Sequence, residues 1–217
     1  MADIIFFDLD GTITDPKVGI TGAVAYAAKN YLGIEIKDTD TLTCFIGPPL
    51  DESFRVHFGL SESQAKEAVE VYREYYRPRG VFENTVYEGM PELLRDLKAA
   101  GKTVVMATSK PEYFAKQIAE HYGFAEYFDC ITGSTMDGSL VKKGDVIRLA
   151  LKRIGNPHTD RCVMVGDRMH DIEGGKENGM HTVGVLYGYG SREEMEEHGA
   201  DVIVPTVKAL REYLLGQ

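Results

Sequence analysis

The sequence has few of the features that would place a protein in a membrane, in an oxidising compartment or on a nucleic acid. No apolar run approaches the roughly 18 residues of a membrane span. The three cysteines, Cys44, Cys130 and Cys162, have no paired or metal-type spacing, which favours buried free thiols over a redox or metal role. The net charge of −10 argues against a nucleic-acid partner, because binding a phosphate backbone needs a basic surface.

The N-terminus also has no basic, apolar export segment. It begins directly with a predicted strand, so we expect a soluble, cytoplasmic protein that has no membrane partner. The sequence leaves both a monomer and a homodimer open. A small anionic substrate remains compatible with the negative charge if a cation and a few local basic residues supply a positive field.

The stretch from Ile4 to Thr12 carries the first candidate site. Four apolar residues in a row predict a strand buried on both faces, and the run ends in Asp8 and Asp10. In an extended chain the two carboxylates point the same way, and they repel each other unless a cation lies between them. Gly11 permits a sharp turn that exposes backbone N–H groups. The stretch predicts a site for Mg²⁺ and a phosphate, and a simple polar turn is the alternative.

Residues 15–85 and the rest of the chain have different patterns. Residues 15–85 show helical spacing and no strand pattern, whereas residues 86–217 alternate short apolar runs with amphipathic helices. This alternation predicts an α/β fold with a parallel sheet covered by helices on both faces. We therefore expect a three-layer core domain, residues 1–14 and 86–217, and an inserted α-helical cap domain, residues 15–85. An insertion at this point is expected to lie over the carboxyl ends of the strands, where ligands bind in such sheets.

Helical periodicity and capping residues give finer expectations within residues 15–85. The first predicted helix starts near Pro16 and has Val18, Ala25 and Leu32 among its apolar positions. A later helix is expected to begin after Ser61, with Gln64 completing a capping box.

Two polar clusters follow predicted strands or precede predicted helices in the second half of the chain. The hydroxyls of Thr108 and Ser109, which Lys110 follows, come directly after an apolar run and could donate to a phosphoryl oxygen; a helix cap is the alternative. Lys142 and Lys143 precede a predicted helix, where an ammonium could neutralise carboxylates and a phosphate together. A solvated lysine pair is the alternative.

A last cluster contains two further acids. Asp167 ends a predicted buried strand, and Asp171 opens a helix four residues later. Acids at these two places can share a divalent ion, because Mg²⁺ is held by few carboxylates and keeps several waters. A helix cap at Asp171 is the alternative.

Taken together, the clusters resemble the motifs of the haloacid dehalogenase superfamily of phosphohydrolases, which implies a Rossmann-like core. The helical insertion looks like that of the phosphoglycolate phosphatase branch, and residues 45–50 resemble a subgroup named 5′-nucleotidase-like. One departure is that Lys143-Gly144-Asp145 stands where such sequences often have Lys-Pro-x-Pro. The matching residues are Asp8-Leu9-Asp10-Gly11-Thr12, Thr108-Ser109, Lys143 or Lys142, and Gly166-Asp167 with Asp171.

The resemblance implies roles for the acids. Asp8 would be the nucleophile that forms an aspartyl-phosphate, and Asp10 would act as general acid and base. The Mg²⁺ ligands would be Asp8, Asp10 through its backbone carbonyl, Asp167 and, through water, Asp171. Because a halide leaving group needs no proton donor, Asp10 argues for phosphate esters over haloacids.

The resemblance also implies which groups bind the phosphoryl oxygens. Thr108, Ser109 and the N–H groups near Leu9 and Gly11 would hold them, and Lys143, or Lys142, would stabilise the charge.

The predicted cap would choose the substrate. Gly47 lies in a Gly-Pro-Pro loop that could face the site, and Arg55 could bind a second anionic group, although a solvated arginine is the alternative. The sequence thus predicts a phosphatase of a small phosphorylated metabolite, with a 5′-nucleotide or a phosphoglycolate-like ester as substrate. A sugar phosphomutase and a non-catalytic phosphate-binding protein are the alternatives.

Overall fold

The computed structural model describes residues 3–216, which fall into two units. One unit contains residues up to Asp15 and from Val86 onward, and the other contains Pro16–Thr85. The sequence prediction put the inserted section at residues 15–85. Across residues 3–216, no helix combines the length and the apolar character that a membrane crossing requires.

The first unit is built on a six-stranded parallel sheet, which confirms the predicted α/β class. Its strand order is β5-β4-β1-β6-β7-β8, and every pair of neighbours is parallel. The strands are β1 (Ile4–Phe7), β4 (Thr103–Pro111), β5 (Cys130–Ser134), β6 (Cys162–Gly166), β7 (His181–Val185) and β8 (Val202–Val204). Two short strands, β2 (Thr14–Asp15) and β3 (Thr85–Val86), form a separate ribbon where the chain leaves this unit and returns to it.

Helices follow most of these strands, because parallel neighbours in a sheet need a long crossover connection, which is usually a helix. They are α4 (Met90–Ala99), α5 (Glu112–His121), α6 (Lys143–Arg153), α7 (Met169–Glu177), α8 (Arg192–Glu197) and α9 (Val207–Leu215). The short helix α8 was not predicted, because its sequence is almost entirely charged and has a single buried apolar residue, Met195.

Strand β1 lies in the middle of the sheet and is buried on both faces. Ile5 pairs with Val104 of β4 on one side and with Val163 of β6 on the other. All four residues of β1 are buried, because helices cover both faces of the sheet, and Ile4 and Phe6 belong to a core cluster with residues of α6. A strand in this place explains the uninterrupted apolar run. The polar residues after β1 therefore start at the carboxyl edge of the sheet.

The second unit is helical. It contains α1 (Lys17–Leu32), a 3₁₀ helix over Thr39–Phe45, α2 (Leu50–Phe58), α3 (Glu62–Tyr76) and a short 3₁₀ helix over Gly80–Phe82. The predicted capping box at the start of α3 is present, since Gln64 N–H donates to the Ser61 hydroxyl and the Gln64 side chain accepts from Ser61 N–H.

The helix predicted to start near Pro16 is present as α1. Its apolar positions are not all buried, since Val18 is 66% exposed whereas Ile20 and Val24 are buried. Alanine and glycine are spread around this helix, so its sequence has little contrast between faces. Of the three cysteines predicted to be buried, only Cys162 is; Cys130 is half-buried and Cys44 is exposed.

Candidate active site

Three carboxylates meet at the carboxyl edge of the sheet. Asp8 directly follows β1, and Asp167 directly follows β6; the two strands are neighbours, so both side chains leave the sheet at the same edge. Asp171 lies in the first turn of α7. One carboxylate oxygen from each of the three acids lies within 4.8 Å of the others, and all three residues are buried. The sequence prediction that distant acids converge at one edge agrees with this geometry.

Lys143 is the cation of this cluster. Its ammonium lies 2.7 Å from Asp8 Oδ1 and 2.8 Å from Asp171 Oδ1, and it donates to the Ala107 carbonyl at 2.9 Å. Burial disfavours the charged ammonium, but attraction by Asp171 and Asp8 outweighs it and raises the pKa of Lys143. Lys142 is exposed, so of the two candidate lysines the structure brings Lys143 to the acids.

The charge of the cluster fits a divalent cation. Three carboxylates face one ammonium, which leaves an excess of two negative charges in a buried place. Burial raises the pKa of Asp167 well above its ordinary value, and repulsion by Asp171 and Asp8 adds to this shift. Burial likewise raises the pKa of Asp171 to about 6, although Lys143 opposes it. A buried excess of carboxylate oxygen is the ligand set that Mg²⁺ prefers.

Asp171 also caps α7. Its Oδ2 accepts from the Arg168 N–H at 3.1 Å while its Oδ1 faces Lys143. The two readings of this residue, a helix cap and a member of the acid cluster, therefore both hold, one for each oxygen.

Asp10 is not part of the three-acid cluster. Its Oδ2 lies 2.5 Å from the ammonium of Lys110, and this ion pair is buried. Burial raises the pKa of the Asp10 carboxyl even though Lys110 opposes the shift. The other oxygen, Oδ1, is buried and has no hydrogen-bond partner within residues 3–216. A role for its backbone carbonyl in metal binding stays a prediction.

Lys110 is a charged residue of the site to which sequence reasoning gave no role. It was named only as the end of the Thr108-Ser109 cluster. Its position at the end of β4, the strand next to β1, was the signal that could have found it.

Thr108 lies inside β4 and is buried, so it does not cap a helix as the alternative reading had it. Its hydroxyl accepts from the Lys110 N–H at 3.2 Å. The cap position of α5 belongs to Pro111, which has no side-chain cap bond. Ser109, the next residue along β4, is half-buried.

Gly11 has a different environment from the one predicted. Its N–H, expected to hold a phosphoryl oxygen, donates to the Thr14 carbonyl at 2.8 Å, so a phosphate would have to share or displace this bond. Its φ of +80° requires glycine, and an added Cβ would lie 2.1 Å from Asp167 Oδ2. Gly11 therefore lets the loop after β1 pack directly against Asp167. Leu9, named with it, has a fully buried side chain.

The loop after β7 supports Asp167 from the other side and was missed from sequence. The Tyr189 N–H donates to Asp167 Oδ2 at 2.8 Å, and the Tyr189 hydroxyl bonds to Asp15. The Tyr187 hydroxyl donates to the Thr12 carbonyl at 3.1 Å. The signal available in the sequence was the alternation of tyrosine and glycine directly after a buried strand, at the edge that carries the acids.

The two predicted cap residues lie in the helical unit. Gly47 is half-buried, in the loop that precedes α2, and Arg55 is exposed on α2. Phe45, just before this loop, is buried against Phe54. Contact of Gly47 and Arg55 with a substrate stays a prediction.

Comparison with known proteins identifies a family, and relatives that match nearly the whole chain. A family model described as haloacid dehalogenase-like hydrolase matches residues 2–179. A 5′-nucleotidase from Pseudomonas aeruginosa is 45% identical over 210 residues, which cover 97% of this chain and 94% of that protein. A protein named tyrosine-protein kinase PtkA from Mycobacterium tuberculosis is 39% identical over 213 residues, which cover 97% of this chain and 72% of that protein.

A solved structure has the same fold throughout. A protein described as a predicted phosphatase from Clostridium acetobutylicum matches with a TM-score of 0.96 and 43% identity, and the match covers 100% of both chains.

Proposed function

Because the chain belongs to the haloacid dehalogenase-like hydrolases and is a phosphatase of that family, we propose that it hydrolyses 5′-nucleotides through an aspartyl-phosphate on Asp8. The observation that carries this proposal is the convergence of Asp8, Asp167 and Asp171 around the ammonium of Lys143. Phosphoryl transfer needs mainly positioning and charge neutralisation, and these groups offer both in a buried place.

Asp8, Asp167 and Asp171 would hold Mg²⁺. When bound, the ion would neutralise charge on the phosphoryl oxygens and on the carboxylates that face them. The fit rests on the excess of two negative charges that Lys143 leaves in this buried cluster.

In the first step, a carboxylate oxygen of Asp8 attacks phosphorus, and the bond between phosphorus and the ester oxygen breaks. The leaving alkoxide takes a proton from Asp10. Burial raises the pKa of Asp10 and so favours the protonated form that a general acid must supply, whereas the neighbouring Lys110 favours the carboxylate that acts as base in the second step. The unpartnered Oδ1 of Asp10 is the oxygen open to such a proton transfer.

In the second step, water attacks the phosphorus of the aspartyl-phosphate. Asp10, now ionised, takes a proton from this water, inorganic phosphate leaves, and Asp8 is restored. Lys143 stays beside Asp8 in both steps and stabilises the charge on the phosphoryl oxygens. The hydroxyl of Thr108, which is buried in β4, would donate to one of these oxygens.

The choice of nucleotides over other esters rests on similarity to the Pseudomonas aeruginosa 5′-nucleotidase over nearly the whole of both chains. Half-buried Tyr87, whose ring centroid lies 5.0 Å from that of Tyr187, adds an aromatic surface in the sheet unit. Aromatic rings of this kind suit a nucleobase, since every base has a flat π face on which to stack.

A phosphate-release screen tests the proposal. Purified protein in Mg²⁺ buffer is offered nucleoside 5′-monophosphates, phosphoglycolate and sugar phosphates at equal concentrations, with free phosphate as the readout. We expect the highest kcat/KM for a nucleoside monophosphate. A preference for phosphoglycolate would contradict the proposed substrate class but not the proposed aspartyl-phosphate chemistry.

Two other results would contradict the chemistry itself. A sugar phosphate isomerised without release of free phosphate would indicate a mutase. Transfer of the terminal phosphate of ATP to a tyrosine peptide, with no hydrolysis of monoesters, would indicate a kinase such as the relative PtkA is named.

A further inference from the structure

Lys143 occupies a place that its own helix does not favour. It is the first residue of α6, where the positive end of the helix dipole opposes an ammonium, and the residue before it makes no side-chain cap bond. A lysine side chain also loses about 2 kcal/mol of rotamer entropy when it is held in one geometry. The position of its ammonium beside Asp8 and Asp171 therefore depends on what fixes the first turn of α6.

The first turn of α6 lies directly against α7. An added Cβ on Gly174 would lie 2.9 Å from Lys143 Cγ and 3.0 Å from the Gly144 nitrogen. The stem of Lys143 thus crosses α7 at a residue without a side chain. Each glycine weakens its helix by about 1 kcal/mol relative to alanine, so close packing and further bonds must hold this contact together.

Asn178, at the end of α7, supplies those bonds. Its Nδ2 donates to the Gly144 carbonyl at 3.0 Å and to the Gly174 carbonyl at 2.8 Å, one acceptor on each helix. The side-chain nitrogen has two hydrogens, one for each acceptor. The reverse orientation of the amide would place an oxygen against two carbonyl oxygens, so the bonding fixes which way the amide faces.

The bond from Asn178 also restrains Gly144, the residue that follows Lys143. A proline at this position would fix φ and stiffen the first turn of a helix, whereas Gly144 is the most flexible residue that could stand there. Asn178 restrains the carbonyl of that flexible residue from the neighbouring helix.

We propose that Asn178 is a positioning residue for catalysis: by joining Gly144 to Gly174 it fixes the start of α6 and holds the Lys143 ammonium between Asp8 and Asp171. The inference rests on the proposed function, in which Lys143 stabilises the transferring phosphoryl group.

The first test is Asn178→Leu, which keeps the volume of the side chain and removes both donors. We expect kcat for the best monoester to fall about tenfold with KM changed less than about twofold, because Lys143 acts mainly on the charge that develops in the transition state. The matched control is Asn30→Leu in α1. Asn30 makes the same kind of bond, to the carbonyl of Tyr26 at 2.8 Å, but joins no second helix. The control should keep the wild-type kcat.

A double-mutant cycle separates positioning from a general loss of stability. In a Lys143→Met background, Asn178→Leu should cause no further loss of kcat, because the group that it positions is gone. The same fractional loss in both backgrounds would overturn the proposal. If Asn178→Leu does not fold, Asn178→Ser takes its place, because serine keeps one donor. The kcat of Asn178→Ser should lie between that of the wild type and the roughly tenfold lower value expected when both donors are lost. If Asn178→Ser has lost the bond to the Gly144 carbonyl or the bond to the Gly174 carbonyl and still has the kcat of the wild type, the proposal is likewise overturned.

Calorimetric titration with orthovanadate, a mimic of the phosphoryl transition state, in Mg²⁺ buffer gives a readout that does not depend on turnover. We expect Asn178→Leu to weaken vanadate binding by at least about threefold relative to both the wild type and Asn30→Leu. Unchanged affinity would overturn the role of Asn178. A wild type that releases no phosphate from any monoester would contradict the proposed function, and the affinity comparison would still decide the role of Asn178.

Discussion

The ion pairs at the candidate active site of the sheet unit are buried, whereas an ion pair of similar length on α3 of the helical unit is exposed. In the sheet unit, the side chains of Lys110 and Asp10 are 5% and 11% exposed. In the helical unit, the pair of Lys66 and Glu62 on α3 is 66% and 72% exposed, although its N–O distance of 2.7 Å is as short as that of Lys143 and Asp8. Burying a charged pair costs several kcal/mol of desolvation, whereas an exposed pair contributes little either way.

Geometry alone therefore does not separate functional charges from solvated ones, but burial does. The buried charges stand where three strands, β1, β4 and β6, and two helices, α6 and α7, bring them to one edge of the sheet, and this placement is what phosphoryl transfer needs. Matched substitutions in the two units can break or sharpen this contrast.

The largest expected effect is that of Asp8→Asn. Replacing the attacking carboxylate by an amide should lower kcat at least about a thousandfold, a rise of roughly 4 kcal/mol in the barrier. The same change at exposed Asp51 of α2 should leave kcat unaltered. Steady-state phosphate release on both variants is the measurement, and normal turnover by Asp8→Asn would remove Asp8 as the nucleophile.

Replacing the cation comes next. Lys143→Met leaves three buried acids without their ammonium, so we expect kcat to fall about a hundredfold and the free energy of unfolding of the metal-free protein to fall by about 3 kcal/mol. The counterpart Lys66→Met, in the exposed pair, should change neither quantity measurably. Denaturant titration and kinetics on the two variants check this, and equal losses would show that burial does not distinguish the pairs.

The third prediction concerns pH and metal. Burial raises the pKa of Asp171 from 3.8 to about 6, so the folded metal-free protein holds a proton more tightly than the unfolded chain does. The contribution of this acid to stability is therefore greatest below pH 3.8 and is lost as the pH rises towards about 6. Mg²⁺ should offset the loss, and its effect on Tm should be larger at a pH of about 7.5 than at about 5.

Thermal unfolding with a chelator and with Mg²⁺ at the two pH values measures this. Asp171→Asn should reduce the pH dependence of the Mg²⁺ effect on Tm, whereas Asp51→Asn should leave it unchanged. A Mg²⁺ effect on Tm that is equal at both pH values would contradict the acid cluster as the metal site.

The smallest effect belongs to the helical unit. Ser61→Ala removes the hydroxyl that accepts from the Gln64 N–H at the start of α3, and it should lower the free energy of unfolding by about 1 kcal/mol. Turnover at a temperature well below Tm should not change. Lost turnover with an unchanged Tm would mean that the cap of α3 matters for catalysis and not only for folding.

The elements that sequence predicts best are those whose signal is local. The apolar run of β1 and the acid directly after it, Asp8, indicated a buried strand and a strand-end carboxylate, and the capping box of Ser61 and Gln64 lies within four residues. The α/β class followed from alternation along the chain in the same way.

The groups that sequence missed depend on contacts between distant parts of the chain. Lys110 meets Asp10 across 100 residues of sequence, and Tyr189 meets Asp167 across 22 and Asp15 across 174. Strand order decides such contacts, and no periodicity within one element encodes it. The choice between Lys142 and Lys143 likewise depended on which residue of the first turn of α6 faces the sheet.

The most direct test of the site is to trap the phosphorylated enzyme. The wild type is mixed with its best monoester and Mg²⁺, quenched in acid within one turnover, digested and analysed by mass spectrometry. We predict one phosphate on the peptide that contains Asp8, and none in Asp8→Asn or when Mg²⁺ is chelated. Turnover with no phosphate on that peptide, or with phosphate on a different residue, would contradict a phosphatase centred on Asp8.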